Sequence, residues 1–331
     1  MSGKMKRVKS LTSKKMKVFV TRSIPDKGLA LLRKHFVVEV YSGPGTIPRS
    51  VLLARIGEVD AVLSLLTEKM DREVIDAAGS RLKIIANYAV GYDNIDVAYA
   101  KSKGIVVTNT PGNLEDAVAE HTLALLFTLG RHIVCADTFV RKGKYHYWDP
   151  MLLMGTQFTG KTMGLVGLGR IGEGVAIRAR GLKMNVVYHD VVRHREFEKL
   201  NGVRYVSQDE VLRLSDFISL HVPLLPQTRH LISKKEFALM KKSALLINTA
   251  RGPIIDEKEL IVALQKGKIA GAALDVFEFE PHVMKPLLKM KNVVFTPHIA
   301  SGTVEARDMM AVLAANNIVA VLSGKKPISA V

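Results

Sequence analysis

The sequence predicts an α/β protein of two domains, each a parallel sheet covered by helices on both faces. Three observations carry this prediction. Short runs rich in Val, Ile and Leu alternate with segments of helical periodicity, in two separate series along the 331 residues. A glycine-rich stretch, GLVGLGRIGEG at 164–174, stands between a strand and a helix at the start of the second series. An apolar-rich segment, 304–322, follows the last strand and reads as a helix returning towards the first series.

Taken in order, Lys17 to Thr21 (KVFVT) reads as a short buried strand, and Pro25 to His35 as a helix with apolar positions at Leu29, Leu31 and Leu32. Phe36 to Tyr41 is a second strand, Val51 to Ile56 is helical, and Ala61 to Leu65 is a third strand. Lys83 to Tyr88 and Ile105 to Thr108 complete the first series. Asn113 to Gly130 differs from the other helices. It is apolar nearly all round, through Ala117, Val118, Leu123, Leu125, Leu126 and Leu129, and such a helix has to be buried on most sides. Six strands are expected in the second series: Thr162 to Val166, Asn185 to Tyr188, Phe217 to Leu220, Ala244 to Asn248, Gly271 to Val276 and Val293 to Thr296.

Composition narrows the class. The chain is 48% hydrophobic and 24% charged, as a globular protein is. Its one cysteine, Cys135, cannot form an intrachain disulfide, which is compatible with a reducing compartment and leads us to expect a cytoplasmic protein. No uninterrupted apolar run reaches the ~18 residues of a membrane span, so no membrane partner is expected. The first residues are basic (Lys4, Lys6, Arg7, Lys9, Lys14, Lys15, Lys17) but lack the apolar core and cleavage site of a secretory signal, and 1–15 reads as a basic extension. The net charge of +17 admits nucleic-acid binding. No basic groove interleaved with aromatics is visible, and a solvated positive surface drawing anionic ligands is the reading adopted.

In the glycine-rich stretch, Gly167, Gly169 and Gly172 have the G-x-G-x-x-G spacing. Gly167 allows a tight turn, Gly169 lets backbone approach a pyrophosphate, and Gly172 lets helix and strand pack closely. The pyrophosphate then meets the N–H groups at the start of the helix, alongside Arg170 and Ile171. Asp190 ends the next strand, eighteen residues after Gly172, where a carboxylate meets an adenosine ribose hydroxyl. It repels a 2′-phosphate, so NAD is expected as cofactor. NADP is left open by Arg193 and Arg195 just beyond, and no metal is expected. These features give two Rossmann-like domains: a discontinuous substrate (catalytic) domain, 16–110 plus 302–331, an inserted NAD-binding domain, 111–301, and a cleft between them.

Three later strand ends carry candidate chemistry, since ligands of open α/β sheets bind outside the carboxyl ends of strands. Arg251 follows ALLINTA. Asp275 ends the AALD strand, with Glu280 five residues on. His298 follows VVFTP. A guanidinium clasps a carboxylate through two N–H bonds. An imidazole gives a proton to a carbonyl oxygen and takes it back. A carboxylate beside the imidazole favours its protonated form, which reduction of a 2-oxo acid needs.

YAVGYDNID, VTNTPG, GLVGLGRIG, SDFISLHVPL, LINTARG, ALDVFEFEP and TPHIAS, in that order over residues 16–331, resemble the D-isomer-specific 2-hydroxyacid dehydrogenase family. Within it the chain is most like the glyoxylate and hydroxypyruvate reductases, whose pattern WDP and GKT (148–162) follow. The resemblance implies that His298 is the proton donor and acceptor, Glu280 its partner and Arg251 the substrate anchor. It implies that the Val90 and Gly91 amides hold the substrate carboxylate, and that Leu66 and Trp148 border the pocket. Trp148 would reach over from a partner subunit of a homodimer. The cofactor would be lined by Val222, Pro223, Thr228, Thr249, Ala250, Asp275 and Ala300, with Asp275 near the nicotinamide carboxamide. Ala300 stands where the family usually has Gly, and similar reductases often carry Ser-Arg-like residues where this chain has Asp190. The expected activity is reversible reduction of a small 2-oxo acid by NAD(P)H. Alternatives are an acid such as D-lactate or 3-phosphoglycerate, and an NAD-sensing corepressor-like binding protein.

Overall fold

A computed structural model describes residues 15–112 and 114–331. The basic segment 1–14 and Asn113, the expected start of the long apolar helix, lie outside the described residues. The chain divides into two compact units, one running up to Pro111 and resuming at Arg307–Val331, the other Gly112–Ala306.

The first unit alternates β1 (Lys17–Val20), α1 (Asp26–His35), β2 (Val37–Val40), α2 (Arg49–Ile56), β3 (Ala61–Ser64), α3 (Arg72–Ala78), β4 (Ile84–Asn87), α4 (Val97–Ser102) and β5 (Val106–Thr108). Its five strands pair in the order β2-β1-β3-β4-β5, all parallel. Every residue of β3 and β4 is buried, because helices cover both faces, whereas edge strand β2 alternates. Acids cap α3 and α4, where Asp71 accepts from Val74 N–H and Asp96 from Tyr99 N–H, whereas α1 and α2 start after Pro25 and Pro48.

The second unit begins with α5 (Leu114–Gly130) and α6 (Ile133–Arg141). There follow β6 (Thr162–Val166), α7 (Arg170–Gly181), β7 (Asn185–His189), α8 (Arg195–Asn201), β8 (Arg204–Tyr205), α9 (Gln208–Leu214) and β9 (Phe217–Leu220). The unit continues through α10 (Lys234–Leu239), β10 (Leu245–Asn248), α11 (Glu257–Gln265), β11 (Gly271–Leu274), α12 (Lys285–Leu288) and β12 (Val293–Phe295). Seven parallel strands run β12-β11-β10-β9-β6-β7-β8, one more than expected. The unforeseen β8 has two residues, too few to show a period. Side chains alternate across the sheet: Leu246 joins one apolar core, Leu245 and Ile247 the other. α5 covers the second face with Leu123, Leu125, Leu126 and Leu129. Gly174 lets α7 close on α5, since a Cβ there would lie 3.1 Å from that of Ala119.

α6 was not expected. It is amphipathic but buries no residue, so its apolar face is left uncovered within this chain. Among the described residues no single helix is long and apolar enough to cross a membrane; α5 and α6 pass such a test only together, across a 59° bend. α13 (Val304–Leu322) closes the chain, as expected, and spans the division at Arg307.

Candidate active site

Strand order reverses beside β6: β7 and β8 lie on one side, β9 to β12 on the other. Such a point opens a crevice at the strand ends. Gly167 turns the chain out of β6 with φ of 97°, a region side chains avoid, and a Cβ there would come 2.7 Å from the His221 carbonyl carbon. At Gly172 a Cβ would stand 2.5 Å from the Gly167 oxygen. Gly169 is different: a Cβ there would meet nothing within 4 Å. It is also the N-cap of α7 and provides no side-chain cap. The turn therefore leaves open space in front of uncapped helix N–H groups, which fits a dinucleotide pyrophosphate.

Asp190 follows β7. Its Oδ2 accepts from Leu168 N–H at 2.6 Å and its Oδ1 from Val192 N–H at 3.1 Å, so it also fastens the glycine turn. Arg193 is held by Glu198 through two bonds of 2.9 Å and lies over the Tyr205 ring, which leaves it committed within its own loop. Arg170 faces Glu115 at 3.5 Å; Ile171 is half-buried in the first turn of α7. Val222 packs beside Gly167, and the Thr228 hydroxyl donates to the Pro223 carbonyl and accepts from Leu225 N–H, closing the turn after β9. His221, the residue before Val222, has its Nε2 2.9 Å from Ser219 Oγ, and burial pushes its imidazole down to about 4.

The other side of the crevice is shaped by side chains. His298 Nδ1 lies 2.9 Å from Glu280 Oε2, and Glu280 Oε1 accepts from Phe277 N–H at 2.9 Å. Glu280 thereby takes one ring nitrogen and turns Nε2 outward. His298 itself sits at φ of 55°, held by its N–H to the Asp275 carbonyl. Arg251 follows β10, the neighbour of β11, and its Nη1 donates to the Ala250 carbonyl at 2.7 Å. The loops of Arg251 and Glu280 abut: a Cβ at Gly252 would collide with the Phe277 carbonyl and the Glu278 nitrogen. Asn248, fully buried, orients this loop by accepting from Ala250 N–H and donating to the Arg251 carbonyl.

Asp275 is fully buried too. Oδ1 accepts from the Thr296 hydroxyl at 2.6 Å and Ile299 N–H at 2.8 Å, Oδ2 from Ala300 N–H at 2.8 Å. Burial works against its charge, but bonds from His121, Thr296, Ile299 and Ala300 outweigh that and hold its carboxyl below the usual range. Through these bonds Asp275 braces the segment that presents His298. The Thr296 hydroxyl gives its proton to Asp275 and so accepts from His121 Nε2 at 3.0 Å. The next residue, Thr122, bonds Thr249 at 2.9 Å.

In the first unit, Leu66 is half-buried beside Glu68, whose buried carboxylate accepts from Thr21 and Leu65 N–H. Val90 and Gly91 lie in the loop after β4 and are partly exposed. In the second unit Trp148 is 76% exposed, on a segment after α6. Sequence reasoning missed Asn248, His121 and His221 as supports. Their common signal is a polar residue inside or just after an otherwise apolar strand or helix.

The family described as D-isomer specific 2-hydroxyacid dehydrogenase, NAD binding domain, matches residues 123–300. The chain is 49% identical over 317 residues to a glyoxylate reductase of Thermococcus litoralis, covering 95% of this chain and 96% of that one. Among solved structures it resembles a glyoxylate reductase from Paecilomyes thermophila at 33% identity, TM-score 0.87, over 96% and 99% of the two chains. It also resembles an NADPH-dependent glyoxylate/hydroxypyruvate reductase from Sinorhizobium meliloti, solved with NADP and malonate, at 30% identity and TM-score 0.82 over 96% and 97%.

Proposed function

From the premise that this chain belongs to the D-isomer-specific 2-hydroxyacid dehydrogenase family and reduces 2-oxo acids with NAD(P)H, we propose that glyoxylate is its principal substrate and NADH its preferred reductant. The observation that carries the reading is the His298–Glu280 pair, 2.9 Å apart next to the Arg251 loop, in a chain 49% identical to a glyoxylate reductase. Hydroxypyruvate is the next-best substrate.

In this reading the Arg251 guanidinium binds the substrate carboxylate, with the N–H groups of Val90 and Gly91 as further donors. Leu66 and Trp148 limit the size of the acid. Bound at the Gly167–Gly172 turn, the nicotinamide nucleotide supplies the hydride that C2 receives. His298 Nε2 gives its proton to the carbonyl oxygen as that oxygen gains charge, while Glu280 keeps the ring oriented through Nδ1. Asp190 favours NADH by repelling a 2′-phosphate, and with Arg193 committed to Glu198 that cation does not offset the repulsion. We assign the unit of residues 112–306 to the nucleotide and the other to the substrate.

The homodimer is part of the same proposal. Tyr147 is 73% and Trp148 76% exposed, with Ile133, Val134, Met151 and Met154 also exposed around α6 and the segment after it, a concentration of apolar surface that a second copy would cover. Free Cys135 fits the cytoplasmic placement.

The test is steady-state oxidation of NADH and NADPH by the purified protein with glyoxylate, hydroxypyruvate and pyruvate. The highest kcat/KM is expected with glyoxylate and NADH, and Asp190→Ala lowers the NADH:NADPH ratio by roughly tenfold. Pyruvate as the best acid, or an unchanged ratio, overturns the corresponding half.

A further inference from the structure

The VTNTPG motif at 107–112 is not used by the mechanism above, yet it grips the loop that carries Val90 and Gly91. In a planar trans peptide the C=O of one residue and the N–H of the next point in opposite directions. Whatever donates to the carbonyl therefore sets where the next N–H points. The Ala89 carbonyl accepts from Thr110 N–H at 2.9 Å, which turns the Val90 N–H away from Thr110. The Val90 carbonyl accepts from Asn109 Nδ2 at 2.8 Å, which turns the Gly91 N–H away from Asn109. The Gly91 carbonyl accepts from Asn87 Nδ2 at 2.9 Å and closes the loop. Among the described residues neither the Val90 nor the Gly91 N–H has a hydrogen-bond partner. Two successive unpaired N–H groups make an anion-binding concavity.

Asn109 is itself held from behind. Its N–H donates to the Ser329 carbonyl at 3.2 Å and its carbonyl accepts from Ser329 Oγ at 2.7 Å. Fully buried Asn317 on α13 fixes Ser329 in turn: Nδ2 donates to Ser329 Oγ at 2.8 Å and Oδ1 accepts from Ile328 N–H at 2.8 Å and Ser329 N–H at 3.2 Å. Segment 329–331 lies along β5, with Val331 N–H on the Val107 carbonyl and Ala330 bridging Thr108. The side-chain amide of Asn109 thus hangs from a rigid frame that runs through residues far from it in sequence.

We propose that Asn109 is a positioning residue for substrate binding: its side-chain amide aims the Gly91 N–H at the carboxylate of the 2-oxo acid. This rests on the reading that the Val90 and Gly91 amides hold that carboxylate. Asn109 touches no reacting atom, so its loss acts on binding of the acid and spares the chemical step.

The test compares the wild type with Asn109→Ala, with Asn109→Asp, which keeps the size but removes the donor, and with Ser329→Ala, which loosens the frame. KM for glyoxylate and Kd for oxamate in the presence of NADH rise roughly tenfold in both Asn109 variants, the scale of weakening one bond to a charged group, and about threefold in Ser329→Ala. The kcat, the NADH Kd and the melting temperature stay near wild type, a split that a merely structural residue does not give. In the wild type labelled with 15N-glycine, oxamate moves the Gly91 amide signal. If that signal stays still, the amide subsite itself is refuted. If it moves while oxamate Kd in the folded Asn109 variants remains within twofold of wild type, the role of Asn109 alone is refuted. Should both Asn109 variants fail to fold, an unchanged oxamate Kd in Ser329→Ala overturns it.

Discussion

Two stretches of the same sheet edge are built by opposite means. After β6 the chain leaves side chains out: Gly167 and Gly172 have no room for a Cβ, and Gly169 leaves space in front of α7. After β10, β11 and β12 it puts polar side chains in: buried Asn248 and Asp275 grip backbone that presents half-exposed Arg251, Glu280 and His298. The difference teaches that the nucleotide end is sensitive to atoms added and the catalytic end to atoms removed. A pyrophosphate is read by main-chain N–H groups, so side chains are obstacles there. A proton and a carboxylate are handled by side chains, which have to be held still.

The largest effect falls at the catalytic end. His298→Ala lowers kcat about 1,000-fold, within the range for loss of an acid–base group, while NADH affinity by fluorescence titration stays near wild type. A kcat within tenfold of wild type would erase the contrast. Asp275→Asn is next. It replaces a buried carboxylate that accepts from Thr296, Ile299 and Ala300 with a group that can accept at only one oxygen. Stability by denaturant titration falls about 2–4 kcal/mol, and turnover falls with it as His298 loses its support.

At the nucleotide end, Gly172→Ala adds a methyl against the Gly167 oxygen. Forcing the turn open costs about 1–3 kcal/mol, read as a tenfold or larger rise in NADH Kd with little change in substrate affinity for the cofactor-saturated enzyme. If the rise appears in glyoxylate KM instead, the division of labour is wrong. The smallest effect is one of pH. Burial holds His221 at about 4, below the ordinary value of 6.5, so between those values the unfolded chain binds the proton and the folded chain resists it. The stability His221 contributes is present above pH 6.5 and lost as pH falls towards 4. The loss from pH 7 to pH 5 is on the order of 1 kcal/mol once its partial exposure is allowed for. His221→Gln flattens that part of the melting-temperature profile.

Much of this architecture was legible in the sequence because burial leaves a local trace. Strands such as IIAN and LLIN, covered on both faces, are continuous apolar runs. The glycines that make the turn are spaced along a few residues. Arg251, Glu280 and His298 stood out because each follows such a strand and parallel topology gathers strand ends along one edge. What failed to show were α6, which buries no residue, and β8, whose two residues are too few to show a period. The bonds Asp275 makes to the protein's own amides also escaped, because a carboxylate at a strand end looks the same whatever donors surround it.

The sequence by itself determined where chain turns, which segments go inside and which reactive side chains arrive at the strand ends. Tertiary structure alone decided which polar atom meets which. His121 meets Thr296 across 175 residues and Ser329 meets Asn109 across 220. The physical reason is range: apolar periodicity is repeated every two to four residues and survives any register. A hydrogen bond needs one donor within about 3 Å of one acceptor at a narrow angle, a condition met only once all the intervening chain is packed.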